Sequence, residues 1–382
     1  MTLPRWLSCK PVVTLTALLT VPVVAPRARG FLRWDEGRNQ VFANLTAGLL
    51  FDSNIYAAAG GDEDMIYSAL LGLEYQRRAG IIGVNANVGW TIARFGDNAD
   101  ENYENPSARV EFTKRTGRTT GSLAAGVQRE SRAEPVVNFR TDSWNYETDF
   151  RFKYPVIERY SISGGVNYGY RDYQNNPLLV DLTTYGASTD LFYAYTSQRD
   201  LLAGYRIRVN ETSADSRYND HAFTVGVSGR ILPKLNGTLR LGYQFRDASG
   251  PGAEDDEGYT AAGSATWNIN RRASLTAQLF KDFSTTSTNL SIDSLGLSLD
   301  GRYMFNAHYA VGAGVGVGQN EFLGAAGQGR DDIYASANAS ATYTHSERFR
   351  LTIAYGLYEN WSTLAVSDFR RHTVSLSVTS RF

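Results

Sequence analysis

The chain has 382 residues, with 38 Lys and Arg against 39 Asp and Glu, for a formal net charge of −1. Near neutrality excludes the strongly basic surface that binds polyanions, so no nucleic acid is expected as a partner. A mean hydropathy of −0.32 excludes a bundle of membrane helices, each of which needs about 20 consecutive apolar residues, but not a membrane barrel, whose strands are apolar on one face only.

Residues 1–30 read as a secretory signal. Arg5 and Lys10 supply the positive start, Pro11 to Ala25 the apolar stretch, and Ala25, Ala28 and Gly30 the small residues of a cleavage region. Cleavage after Ala25 would leave Pro26 at the new N-terminus, which is disfavoured, so a cut near Gly30 is expected. Cys9 is the only cysteine and precedes the apolar stretch, whereas a lipoprotein cysteine would follow it. The processed chain then has neither disulfide nor thiol chemistry. Residues 31–39 form a short periplasmic segment, too short for a plug domain, a hatch or a helical-repeat scaffold.

From residue 40 to residue 382 one pattern recurs: a run of alternating apolar and polar residues, a turn or loop, then another run. In chain order the runs are 41–52, 65–77, 81–95, 107–115, 119–130, 143–154, 160–172, 184–196, 201–211, 220–231, 236–247, 259–269, 273–284, 291–302, 308–319, 332–344, 349–359 and 369–382. The clearest is Trp144 to Tyr154, where even positions are mostly aromatic and odd positions carry Glu147, Asp149, Arg151 and Lys153. Successive strand side chains point to opposite faces, so one face meets lipid and the other water. The expected fold is all-β: a closed antiparallel transmembrane barrel of about 18 strands, 16 or 20 being tolerable, in the outer membrane of a bacterium. Connections alternate between short turns, such as residues 155–159 and 197–200, and longer Gly-, Asp- and Asn-rich loops, such as 53–64, 131–142 and 320–331. Short turns belong to the periplasm and long loops to the outside. Loops of a dozen residues at most fall short of a long loop folded into the bore, which favours a wider or externally gated channel.

Aromatic residues recur at bilayer spacing. Trp144 and Tyr154, Tyr160 and Tyr170, and Tyr185 and Tyr195 are paired ten residues apart on one face. Ten residues at about 3.4 Å each, tilted by about 40°, rise about 26 Å, close to the apolar band of roughly 25 Å that aromatic girdles flank. The chain ends in an alternating strand with Val374, Leu376 and Val378 and a terminal Phe382. That ending resembles the signal read by the barrel assembly machinery.

Chemistry-bearing motifs are absent: there is no zinc spacing, phosphate loop or nucleophile elbow, and no cofactor or enzyme activity is expected. His221, His308, His345 and His372 fall on separate strands or turns. His372 with Asp368 is the best candidate for a rim hydrolase and reads better as ordinary rim residues. The acidic clusters at 62–64 and 254–257 suit divalent cations beside lipopolysaccharide, but match no defined calcium loop and read better as solvated loops.

The informative residues fall on the polar face. Alternation predicts that the pore is lined by Glu74, Arg109, Glu111, Glu147, Asp149, Arg151, Lys153 and Arg171. It adds Asp190, Arg206, Arg208, Arg240, Gln244, Arg246 and Arg350 from later strands. Arg206 and Arg208 on one strand, with Arg240 and Arg246 two strands away, suggest a basic wall favouring anions. Mutual neutralisation by facing carboxylates is the competing reading.

At Leu49-Leu50-Phe51-Asp52-Ser53-Asn54-Ile55-Tyr56 the chain resembles the putative beta-barrel porin 2 family, whose members open with a strand ending in an Asp-x-Asn-(Ile/Val)-Tyr element. Length, arginine-led hairpins and a C-terminal aromatic extend the resemblance over roughly residues 40–382. The resemblance implies a barrel associated with exopolysaccharide operons, passing polymer across the outer membrane beside a periplasmic polysaccharide export lipoprotein. A diffusion porin for small solutes is the alternative, and a non-conducting adhesin or anchoring barrel the third reading. The other expected partners are outer-membrane lipid, lipopolysaccharide and the assembly machinery.

Overall fold

The computed structural model describes residues 31–174, 176–251, 253–324 and 329–382; the expected signal, residues 1–30, lies outside them. A short strand β1 (Leu32–Trp34) precedes the barrel proper. The wall begins with β2 (Asn39–Asp52), β3 (Asp64–Arg77), β4 (Ile82–Phe95), β5 (Tyr103–Lys114), β6 (Thr120–Glu134) and β7 (Phe139–Ile157). It continues with β8 (Tyr160–Tyr173), β9 (Leu182–Thr196), β10 (Arg199–Thr212), β11 (Arg217–Leu232), β12 (Leu235–Ser249) and β13 (Asp256–Asn268). It finishes with β14 (Ala273–Thr285), β15 (Ser291–Met304), β16 (Tyr309–Leu323), β17 (Asp331–Ser346), β18 (Phe349–Ser362) and β19 (Phe369–Arg381).

Each wall strand pairs antiparallel with its sequence neighbours, and β19 pairs with β2, so β2 to β19 close an 18-stranded barrel. Closure leaves no strand edge to be desolvated in lipid, and among the described residues no helix is long and apolar enough to cross a membrane. The closing seam runs from Thr373 opposite Asp52 to Arg381 opposite Asn44. Phe382 extends it by exchanging backbone hydrogen bonds with Ala43, at 2.9 and 3.1 Å. β1 folds back on the start of β2, and Trp34 stacks on Tyr75 with ring centroids 5.9 Å apart.

Alternation fixes which face is which. In β7, Tyr146 and Phe150 are exposed on the outside, next to Tyr170 and Val166 of β8 in register. Trp144, Tyr154, Tyr160, Tyr170, Tyr185 and Tyr195 all fall on this outer face, as do Val374, Leu376 and Val378. Tyr154, Tyr160 and Tyr195 lie toward the short turns, and Trp144, Tyr170 and Tyr185 toward the long loops.

The expectation of short, peripheral loops needs correcting. Residues 131–142 are mostly strand, since β6 runs to Glu134 and β7 starts at Phe139. Two hairpins, β6–β7 and β14–β15, leave the wall and bend into the outer half of the lumen. The β5–β6 ladder stops at Ser107 and Gln128, and the β13–β14 ladder at Ala261 and Lys281. Beyond these points side-chain hydrogen bonds bridge the gaps: Ser131 donates to Asn105 at 3.2 Å, and Thr260 donates to the Lys281 carbonyl at 2.9 Å. Past its gap β14 is buried on both faces, with Asp282 at 2% and Phe283 at 1% exposure. No lipid-facing strand would show that pattern.

The two hairpins meet where Ser287 donates to Glu134 at 3.2 Å. Neighbouring loops lock onto them. Asn138 donates to the Ala57 carbonyl at 2.8 Å, Arg330 to the Val136 carbonyl at 2.9 Å, and Ser367 to Asn138 at 2.7 Å. The outer half is thus filled by several short elements acting together, which loop length alone does not reveal. The buried polar residues of the inner face, among them Asp52, Asn105, Thr141, Asp220, Arg246 and Asn360, gather in this half. Toward the short turns the inner face is open, with Asn85, Asn87, Glu147, Arg151 and Gln278 exposed.

Candidate functional site

The site is the inner face of the barrel, and its centre is a knot of ions beneath the β14–β15 hairpin. Strands β10, β11 and β12 each bring one residue to it at matching height: Arg208, Asp220 and Arg246 lie in one register row. Arg208 donates to Asp220 at 2.7 and 2.9 Å, to Asp282 at 3.1 Å, and to the Phe283 carbonyl at 2.5 Å. Arg246 donates to Asp220 at 2.5 and 2.8 Å, to the Ser284 carbonyl at 3.1 Å, and to the Ser291 hydroxyl. Its guanidinium lies between the rings of Tyr218 and Phe283, about 5 Å from each centroid. Arg206 forms a two-pronged pair with Asp282 at 2.6 and 2.9 Å. A planar guanidinium serves here because it satisfies a carboxylate and a carbonyl at once while stacking on rings.

The geometry therefore overturns the expected basic wall. Arg206, Arg208 and Arg246 clamp the inward hairpin to β10–β12, and Arg240 is paired with Asp190. Arg208, Gln244 and Arg246 are on the inner face but buried, and the two arginine charges are met by neighbouring carboxylates rather than by open water. Sequence reasoning missed the two carboxylates that organise the knot, Asp220 and Asp282. Both stand at inner-face positions of their strands, which alternation alone would have flagged.

The other predicted residues lie elsewhere on the same face. Glu74 pairs with Arg381 at 2.8 Å, and Arg109 with Glu147. Glu111 accepts from Thr113 at 3.3 Å, and Arg151 sits 3.5 Å from Asp149. Lys153 lies 4.5 Å over the Phe192 ring, and Arg171 donates to Asn145 at 2.6 Å. Arg350 is exposed near the short turns. Charge is concentrated on β3 to β12. From β13 through β19 the open inner face carries mainly Ser, Thr, Gln, Asn and Gly, such as Thr276, Gln278, Ser298 and Asn338.

The remaining candidates are structural. His372 is on the outer face, its ring 2.9 Å from the Tyr355 hydroxyl. Asp64 of the first acidic cluster receives the backbone N–H groups of Gly96 and Asn98 at 2.9 and 2.8 Å, tying two loops together. Among the described residues no group of three or more His, Cys, Asp or Glu is placed to hold a metal ion.

Comparison with solved structures finds the same fold. The chain is similar to Pseudomonas aeruginosa OpdK, solved with vanillate, at 13% identity and a TM-score of 0.51, covering 90% of this chain and 99% of that one. P. aeruginosa OccK2 (OpdF) matches at 14% identity and a TM-score of 0.51, covering 90% and 97%. Acinetobacter baumannii OccAB2 matches at 12% and 0.51, covering 90% and 98%. No match to a curated protein was found. A closed barrel with an apolar outside and a polar inside has the architecture of a transmembrane β-barrel, the fold it shares with these outer-membrane proteins. Residues 158–299, from the end of β7 into β15, match the family described as putative beta-barrel porin 2, which locates the resemblance in the strands that carry the ion knot rather than in the first hairpin.

Proposed function

We propose that this barrel is a selective diffusion channel for small polar solutes. The observation that carries the reading is the pair of inward hairpins, which restricts a polar lumen from within. A constriction built from wall hairpins and cross-linked loops suits sorting by size and shape, and poorly suits free passage of a polymer. The pairing of Arg206, Arg208, Arg240 and Arg246 with carboxylates argues for weak charge selectivity, since a local field needs uncompensated charge. OpdK was solved with vanillate, and a solute of that size fits this reading. Lipid, lipopolysaccharide and the assembly machinery are the partners usual for such barrels, with the outer aromatic residues as girdles and the final strand as the assembly signal.

The test is swelling of liposomes containing the purified protein in solutes of graded size, with reversal potentials measured in planar bilayers. The proposal expects permeability to fall steeply between monosaccharides and tetrasaccharides, with a reversal potential near zero under a salt gradient. Entry of long oligosaccharides at undiminished rate would overturn it in favour of polysaccharide export. That second reading rests on the family resemblance and requires a partner, such as an export lipoprotein, to draw the hairpins aside. Absence of any permeability would leave the non-conducting anchor.

A further inference from the structure

Four aromatic side chains on the inner face are unaccounted for by a water-filled channel. Phe280 (β14), Tyr334 (β17), Tyr358 (β18) and Phe369 (β19) face inward, each on the same strand face as an ion-paired inner residue or a neighbour in register. They are contiguous. Tyr334 and Tyr358 stack with centroids 5.9 Å apart at 19°, and Tyr358 lies 5.7 Å from Phe369 at 30°. Between Phe280 and Tyr334 the register row runs through Gly296 and Gly318. A side chain at either position would displace the rings. A Cβ at Gly296 would strike the Phe280 ring and come within 3.0 Å of the Tyr334 hydroxyl, and one at Gly318 would strike the Tyr334 ring. The rings of Phe280 and Tyr334 therefore spread across the bare glycine backbone and converge over Gly296, making one strip across the wall from β14 to β19.

Phe280, Tyr334 and Tyr358 keep part of their surface open, while Phe369 is buried under the loops at the outer end. One step toward the periplasm on the same face lie Gln278, Ser298 and Ser336, uncharged hydrogen-bonding groups of which Gln278 is exposed, and a further step on, Asn338 shares a row with the carboxylate Asp300. The charged arc of β3 to β12 lies elsewhere on the circumference. Broad aromatic faces beside neutral amides and hydroxyls, in a lumen otherwise polar, match a molecule with flat apolar faces and a polar rim. A pyranose ring is such a molecule: its C–H face stacks on an aromatic ring while its hydroxyls reach donors and acceptors alongside.

We propose that Phe280, Tyr334 and Tyr358 form a saccharide-binding track on the lumen wall, along which sugar rings bind during passage. The assignment rests on the channel reading above and names its substrate class. The competing explanation is that the rings only cover strand glycines, as aromatic side chains do in sheets.

The test uses the full barrel and maltose, a disaccharide within the size range that the channel reading admits. Sugar-induced interruptions of ion current are recorded in planar bilayers, and saturation-transfer NMR on the detergent-solubilised protein reads ring-to-sugar contact without any need for conduction. The wild type should show interruptions and transfer to the sugar protons. The pair Tyr334→Leu and Tyr358→Leu, which keeps bulk but removes the flat faces, should keep the open-channel conductance and reduce interruptions and transfer at least tenfold. Tyr334→Phe and Tyr358→Phe should retain most of both. A wild type without transfer to maltose overturns the proposal, as does a Leu pair that binds undiminished. Ring-dependent transfer in a barrel that never conducts would uphold the track and refute the channel.

Discussion

Asp149 and Phe150 are neighbours in β7 and occupy opposite media. Replacing Phe150 with Arg places a cation at the lipid face and should cost about 2–4 kcal/mol near mid-bilayer depth. Replacing Asp149 with Ser, on the inner face, should cost far less; folding titrations into lipid vesicles compare the two, and equal costs would reverse the assigned facing. Asp220 poses a different problem, being fully buried between two arginines. Asp220→Ala leaves buried guanidinium charge uncompensated and should destabilise the barrel by about 3–5 kcal/mol, whereas Asp190→Ala, in a partly exposed pair, should cost less. At this scale the sequence was legible for facing and not for pairing. Arg206 and Asp282 are 76 positions apart, and period-2 alternation says which face each takes without saying which strand bends inward to join them.

The strands themselves were readable because a lipid-facing strand must be apolar at every second position. The inward hairpins broke that rule and were misread for the same reason. Residues 131–142 lack a sustained apolar alternation and carry Pro135 and Asn138, so they look like loop, yet they continue β6 and β7 away from lipid. In β14 Asp282 and Phe283 are both buried although they take opposite faces, a pattern that marks a strand leaving the wall once it is known that the wall is otherwise amphipathic. If the hairpins govern passage, tying them together should close the channel. Glu134 and Ser287 touch at 3.2 Å, and the only native cysteine is Cys9. The pair Glu134→Cys and Ser287→Cys should conduct less when oxidised and recover with reductant; conductance indifferent to redox state would show that the contact is not part of the gate.

For the whole molecule, the barrel is one closed surface, so its last residue bears on all the others. Phe382 contributes the two final backbone hydrogen bonds of the β19–β2 seam. Its removal should lower the temperature at which the barrel loses its compact migration on detergent gels, with a fall in assembly in cells; unchanged migration would assign the terminal aromatic no part in closure. The central claim is that an 18-stranded outer-membrane channel is restricted by hairpins of its own wall, and single-channel conductance tests it most directly. The comparison is between the intact protein and a variant in which residues 286–290, the tip of the β14–β15 hairpin, are replaced by a two-residue Asn-Gly turn. The account predicts small, defined steps for the intact barrel and steps several-fold larger for the shortened one, both proteins retaining heat-modifiable migration. Equal steps from the two proteins, or none from either, would contradict it.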